Sequence, residues 1–143
     1  MADPFDLQRF VEAQSDVIEA VRAELRAGRK RSHWMWFVFP QFTGLGSSAM
    51  AQRFSIDSAD EARAYLAHPV LGPRLIECTQ LVLDVQGADI HAIFGSPDDL
   101  KFRSCMTLFD AVAPAAPVFG ECLQKYFGGR RDERTLALLQ PAP

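Results

Sequence analysis

Apolar positions recur along most of the chain at intervals that suit helices, not strands. Leu7, Phe10, Val11, Val17, Ile18, Val21 and Leu25 follow the three-and-four spacing that gathers side chains on one face of an α-helix. Asp3-Pro4 opens this segment, because Asp caps a helix and Pro suits its first position. Ser15-Asp16 breaks it, Asp16 with Glu19 has the form of a capping box, and Gly28 ends it. Ser58 with Glu61 is a second capping box, ahead of Ala62, Tyr65 and Leu66, and His68-Pro69 stops that helix. Pro73 starts the next one, through Leu75, Cys78, Thr79, Val82 and Val85 to Gly87. A short turn covers Asp89 to Phe94. Ser96-Pro97-Asp98-Asp99 then supplies a cap, a proline and two carboxylates at the positive end of a helix dipole. That helix carries Leu100, Met106 and Phe109 and runs to Pro114. Val118, Cys122, Lys125 and Tyr126 outline another, ended by Gly128-Gly129, and Asp132 caps a last one through Leu136 and Leu139.

The run from Trp34 to Phe39 has no clear period and suits a buried strand or a buried helix. A strand must pair its backbone groups, and no second strand is evident. With Ser32 as cap and Pro40 as stop, a short buried helix is the expectation. The fold predicted is all-α, one compact irregular bundle of about six to eight helices spanning residues 1–143 as a single domain.

Composition agrees with this picture and narrows the functions. At 143 residues the chain can bury about two thirds of its unfolded surface in one core. Its 48% hydrophobic and 23% charged residues are the balance of an ordinary globule, with eleven Phe to fill the interior. No apolar run reaches the roughly 20 residues that span a bilayer, so no membrane association is expected. The acidic start, MADPFDLQRF, lacks the basic and apolar regions of a signal peptide, which makes the cytoplasm the expected location. Cys78, Cys105 and Cys122 are odd in number and lack C-x-x-C spacing, as expected of reduced, buried thiols. The net charge of −3 argues against a general nucleic-acid binder but leaves room for a local anion site.

Three stretches carry candidate chemistry. GRKRSHWMWFVFPQF, Gly28 to Phe42, runs from cations into an aromatic block. In one reading Arg26, Arg29, Lys30 and Arg31 merely complement a helix C-terminus, and Trp34, Trp36, Phe37 and Phe39 are core. In the other, Ser32-His33 is the N-terminus of a buried helix whose free N–H groups, beside Arg29, Lys30 and Arg31, hold an anion, with an indole stacked on a planar ligand. GLGSSA, Gly44 to Ala49, matches the dinucleotide fingerprint G-x-G-x-x-A only superficially, because no strand precedes it. It reads as a glycine-rich turn into a short capped helix, placed to offer N–H groups to the same anion. In SPDDLKFRSCMTLF, Ser96 to Phe109, Asp98 and Asp99 are helix-start charges or else a general base or ribose-binding carboxylate. Lys101, Ser104 and Thr107 extend a polar face there, and Arg103 is expected to face water. His33, His68 and His91 are scattered without ligand spacing, so no metal site is expected, and no sequence signal calls for a cofactor.

DPFDLQRFVEAQ, GRKRSHWMWFVFPQ, GLGSSAMAQRF, HPVLGPRL, IFGSPDDLKFRSCMTLF and YFGGRRDERTL occur in this order, and together they closely resemble the small bacterial family known as domain of unknown function 1810, or DUF1810. The resemblance spans essentially the whole chain and implies a single-domain cytoplasmic protein with an irregular bundle of α-helices. Ser15-Asp16 stands where many relatives carry Asp-Pro. The label calpastatin attached to some members does not suit this chain, since that inhibitor is disordered and poor in aromatic residues. The distinctive blocks of the family coincide with the basic–aromatic junction and the Ser96–Thr107 segment, which favours a ligand there.

Three functional readings follow. The first is a pocket, with or without catalysis, for an anionic or nucleotide-like small molecule. Arg29, Lys30, Arg31, Ser32 and His33 would hold the anion, Trp34 or Trp36 would stack, and Gln41, Lys101 and Ser104 would complete the wall. His33, Asp98 and Asp99 are the candidates for catalysis. The second is a protein-interaction module whose partner the sequence does not name. The third, nucleic-acid binding, needs Arg26, Arg29, Lys30, Arg31, Arg130, Arg131 and Arg134 on one face and ranks last.

Overall fold

Ten helices succeed one another in a computed structural model that describes residues 2–140. They are α1 (Gln8–Ser15), α2 (Ile18–Arg26), α3 (Met35–Val38), α4 (Ala49–Arg53), α5 (Ala59–Ala67), α6 (Leu71–Leu83), α7 (Ile90–Phe94), α8 (Asp98–Val112), α9 (Pro117–Phe127) and α10 (Glu133–Leu139). Seven of them have seven residues or more, and α3, α4 and α7 are little more than single turns. Among the described residues β pairing is confined to one parallel bridge between Phe42 and Ile56. There Thr43 N–H donates to Ile56 O at 2.8 Å and Ile56 N–H to Gln41 O at 2.9 Å. The fold is all-α, as the apolar spacing predicts.

The bundle is organised around α8. Phe102 and Phe109 lie seven residues apart, two helical turns, and so share a face. Each anchors its own group of rings. Phe102 stacks on Phe94 at 5.0 Å and meets Phe39 edge-on at 5.1 Å, and Trp34 packs on both Phe39 and Phe94. Phe109 packs on Tyr65 at 5.5 Å and Phe119 at 5.7 Å, and Tyr65 packs on Phe10, which in turn meets Phe54. Both rings of α8 are fully buried, as are Cys105, Met106 and Leu108 between them. Such offset and edge-on ring pairs add about 0.5–1.5 kcal/mol each beyond their buried area.

Two caps fall where expected: Ser58 and Asp132 accept from the N–H groups of Glu61 and Thr135. Asp89, expected only in a short turn, also caps a helix by accepting from Ala92 N–H. Asp3 accepts from Leu7 and Gln8 N–H, although Pro4 lies in a preceding turn and the helix begins only at Gln8. Other helix starts need correction. Asp16 closes α1 and does not cap α2, which follows Val17 with no side-chain cap. Glu61 does not close a box by accepting from Ser58 N–H; one carboxylate oxygen accepts from Asp57 N–H and the other from Arg9, which ties α5 to α1. Helix α6 starts at Leu71, ahead of Pro73, because His68 Nδ1 accepts from the N–H groups of Val70 and Leu71 at 3.1 and 3.3 Å. Ser96 does not cap α8, which follows Pro97 without a side-chain cap.

Gly72 allows α6 to begin against the end of α5. A Cβ placed on it would lie 2.1 Å from the backbone oxygen of Leu66, well inside van der Waals contact. Gly72→Ala is therefore expected to lower stability by about 1–3 kcal/mol, the usual cost of overpacking, although alanine is the better helix former. Urea denaturation checks this, and an unchanged or raised midpoint would show that the α5–α6 corner is not close-packed.

Candidate functional site

Helix α2 ends at Arg26, and Gly28 adopts a left-handed conformation at φ +73°. The reversal folds residues 29–34 back along the last turn of α2, with Arg29 N–H donating to Glu24 O at 3.0 Å. This brings the basic–aromatic junction directly over the Glu24 side chain. Glu24 Oε1 accepts from Arg31 N–H at 2.6 Å, Ser32 N–H at 3.0 Å and the Trp34 indole Nε1–H at 3.1 Å. Its Oε2 accepts from the Ser32 hydroxyl at 2.6 Å. Partial burial alone would push this carboxyl up; the donors from Ser32, Arg31 and Trp34 more than reverse that and bring it down to about 2. The junction thus gathers N–H and O–H donors around a carboxylate of the chain itself. Ser32, expected to cap a buried helix, instead serves Glu24, and α3 begins only at Met35, after Trp34.

Lys30 is equally committed. Its side chain is only 9% exposed, and its Nζ lies 3.0 Å from Asp98 Oδ2 and 5.2 Å from the centre of a Trp34 ring. Its N–H donates to Ile93 O at 2.7 Å. The two blocks singled out in the sequence therefore meet, joined by a largely buried ion pair. Asp98 also approaches Lys101 at 3.8 Å, and Asp99 pairs with the exposed His91 at 3.3 Å. His33 is exposed and forms no ion pair with either carboxylate among the described residues.

Beyond this latch lie two adjoining cavities. The first, of about 390 Å³, opens between α3, the glycine-rich turn, α4 and the start of α8. Trp36, Phe39, Phe42 and Phe54 form its aromatic side, and Gln41, Asp57 and Lys101 are among its polar groups. Thr43, also in the wall, is fixed by hydrogen bonds to Ser55, Ile56 O and Asp57. The GLGSSA segment is a turn, with Gly44 at φ +100°, that leads into α4; Ser48 caps that helix by accepting from Ala51 N–H at 3.1 Å. The second cavity, of about 240 Å³, shares Gln41 and Lys101 with the first and adds Ser104, Arg103, Asp132 and Arg134. The Ser104 hydroxyl donates to Leu100 O at 3.2 Å.

Of the residues proposed from sequence, the structure brings Trp36, Gln41, Lys101 and Ser104 to these cavities. It sets Arg29, Lys30 and Arg31 around a separate shallow depression and commits Ser32 and Trp34 to Glu24. Arg103 does not simply face water as expected: it lies over Phe127 and 3.8 Å from Asp132, because α8 turns that side toward α9 and the start of α10. Of the cations required on one face for nucleic acid, Lys30 is paired with Asp98 and Arg131 with Asp110, while Arg134 reaches Gly44 O. Glu24, Asp57 and Arg103 were not picked out from sequence as site residues, and Arg134 was named only for a nucleic-acid face. The one signal for Glu24 was an acidic residue in the last turn of a helix, where the dipole disfavours it.

All three cysteines are free and buried; burial pushes Cys78 and Cys122 up to about 12 and Cys105 well above its usual range, so none is a thiolate nucleophile. Among the described residues no group of three His, Cys, Asp or Glu side chains gathers as a metal site. No described helix is long and apolar enough to cross a membrane.

A family model described as "Protein of unknown function (DUF1810)" matches residues 4–139. Among solved structures, the conserved hypothetical protein Rv1873 from Mycobacterium tuberculosis is 60% identical and superposes with a TM-score of 0.96, covering 98% of this chain and 100% of its own. No curated protein matches the chain.

Glu24→Gln keeps the shape of the latch but removes its charge, and is expected to cost about 1–2 kcal/mol at neutral pH, after allowance for the partial exposure of the site. A carboxyl held near 2 instead of its ordinary 4.5 stabilises the fold fully above 4.5 and loses that contribution as pH falls toward 2. The gap between wild type and Glu24→Gln, measured by urea denaturation, should therefore close across that window. A gap independent of pH would rule out the charged latch.

Proposed function

Because the chain belongs to the DUF1810 family, whose description assigns no function, we propose a function from the cavities: binding of a small planar, anionic, nucleotide-like molecule. The observation that carries this is the 390 Å³ cavity, with Trp36 and phenyl rings on one side and Gln41, Asp57 and Lys101 among its polar groups. Small-molecule sites are concavities of roughly this size, mostly apolar, with a few polar groups that fix orientation. Trp36 is only half-buried, unlike Trp34, so its ring can stack on a planar ligand. Lys101 meets the negative group, and Gln41 and Asp57 take hydrogen bonds along the edge of the ring.

Binding is proposed rather than a named reaction. The wall of this cavity offers one carboxylate, Asp57, and neither a thiol nor an imidazole. Asp98 and Asp99 stand outside it, paired with Lys30 and His91. Three reduced, buried thiols suit work in the cytoplasm. A second reading, a protein-interaction module, draws on the open apolar groove of Leu66, Pro73, Ile76 and Leu81, in which Ile76 is 42% exposed.

Adenosine 5′-monophosphate is expected to raise the melting temperature at millimolar concentration and to quench tryptophan fluorescence. Trp36→Leu should abolish the quench and weaken binding about tenfold, since stacking on an aromatic ring contributes roughly 1–3 kcal/mol per base. If neither signal moves with nucleotides or sugar phosphates, the cavity does not serve this purpose and the groove beside Ile76 becomes the better site.

A further inference from the structure

The second cavity collects more positive charge than its own carboxylate can neutralise. Lys101, Arg103 and Arg134 all line it, and Asp132 is the sole acidic residue in its wall among those described. Asp132 is largely occupied elsewhere, because its Oδ2 caps α10 by accepting from Thr135 N–H at 2.9 Å and from the Thr135 hydroxyl. Its Oδ1 remains 3.8 Å from Arg103 Nη2, beyond hydrogen-bond distance.

None of the three cations is saturated. Arg103 Nε is buried and has no hydrogen-bond partner among the described residues. Arg134 makes one long contact, from Nη2 to Gly44 O at 3.4 Å, on the turn that also walls the first cavity. Lys101 is 3.8 Å from Asp98, whose nearer partner is Lys30 at 3.0 Å. A guanidinium carries five N–H donors in a planar fork that matches phosphate, and leaving buried donors unmatched is costly.

We infer that this cavity is a phosphate subsite: Lys101, Arg103 and Arg134 seat a phosphate ester or phosphoanhydride whose planar end lies in the aromatic cavity next door. The assignment of the planar end rests on the function proposed above; that of the phosphate rests on the three cations alone. Gln41 and Lys101 border both cavities, so one ligand spans them with Lys101 at the divide. The preferred ligands are thus nucleoside 5′-phosphates over free nucleosides.

The test is calorimetric titration of the full chain with pyrophosphate, adenosine and adenosine 5′-diphosphate at low ionic strength. Pyrophosphate is expected to bind alone, and the diphosphate to bind more tightly than adenosine. Arg134→Ala, which gives up only the contact to Gly44 O, should weaken pyrophosphate and the diphosphate roughly tenfold or more and leave adenosine unchanged. Arg103→Gln, checked for an unchanged melting temperature, should act likewise. Arg130→Ala, at an exposed position outside both cavities, should change nothing. If pyrophosphate fails to bind and the diphosphate is no tighter than adenosine, the phosphate subsite is overturned while the planar site stands. If pyrophosphate binds in an Arg134-dependent way but adenosine does not, the subsite stands and the planar reading falls. Equal weakening by Arg130→Ala would reduce the effect to general attraction and overturn the subsite.

Discussion

The arrangement of this bundle depends on one carboxylate. Glu24 sits in the last turn of α2, where its charge opposes the helix dipole, and it accepts four hydrogen bonds from the chain that doubles back past Gly28. Charge-assisted bonds of this kind are about twice as strong as neutral ones, and several converging on one group fix geometry as well as energy. The indole N–H of Trp34 is one of the four, and its ring is packed on Phe39 and Phe94. From that anchor the chain enters α3 with Met35 and Phe37 buried and Trp36 left at the cavity. Lys30, between the reversal and the latch, reaches Asp98 and so couples the same turn to the start of α8.

This bears directly on where a ligand can go. A junction of cations and free N–H groups is a natural anion site, and here the anion is supplied by the chain. Farther along, Lys101, Arg103 and Arg134 line the second cavity, beside the one into which the aromatic block presents Trp36. The internal carboxylate therefore separates two tasks that the sequence runs together in fifteen residues: holding the fold and facing solvent. Helix α8 serves both, burying Phe102 and Phe109 in the core and carrying Lys101, Arg103 and Ser104 along the second cavity.

Much of the fold was legible from local patterns because the forces involved are local. A cap acts on N–H groups two or three residues away, so Ser58 and Asp132 announce their helices. Glycine at a helix end marks a reversal, as at Gly28 and Gly128. The glycine-rich turn into α4 was equally readable, since no strand precedes it to make a dinucleotide site. What the pattern did not reveal depends on where side chains arrive after folding. Serine at position 32 has the same capping chemistry whether it serves α3 or Glu24, and only the path of the chain decides. The His68 ring takes over a start that Pro73 seemed to mark, and Arg103 turns toward Asp132 and Phe127 instead of water. For the candidate site, residue types were readable, but their sorting into latch and cavity was not, because Lys30 and Lys101 are alike as residues and only the path of the chain sets one 3.0 Å and the other 3.8 Å from the same Asp98 carboxylate.

The most direct measurement is a carbon-13 NMR titration of the Glu24 side-chain carboxyl in the folded protein. A carboxylate held by Arg31, Ser32 and Trp34 titrates with a midpoint of about 2. A midpoint near the ordinary 4.5 would mean that those donors are not gathered on Glu24, and that the junction is free to hold some other anion.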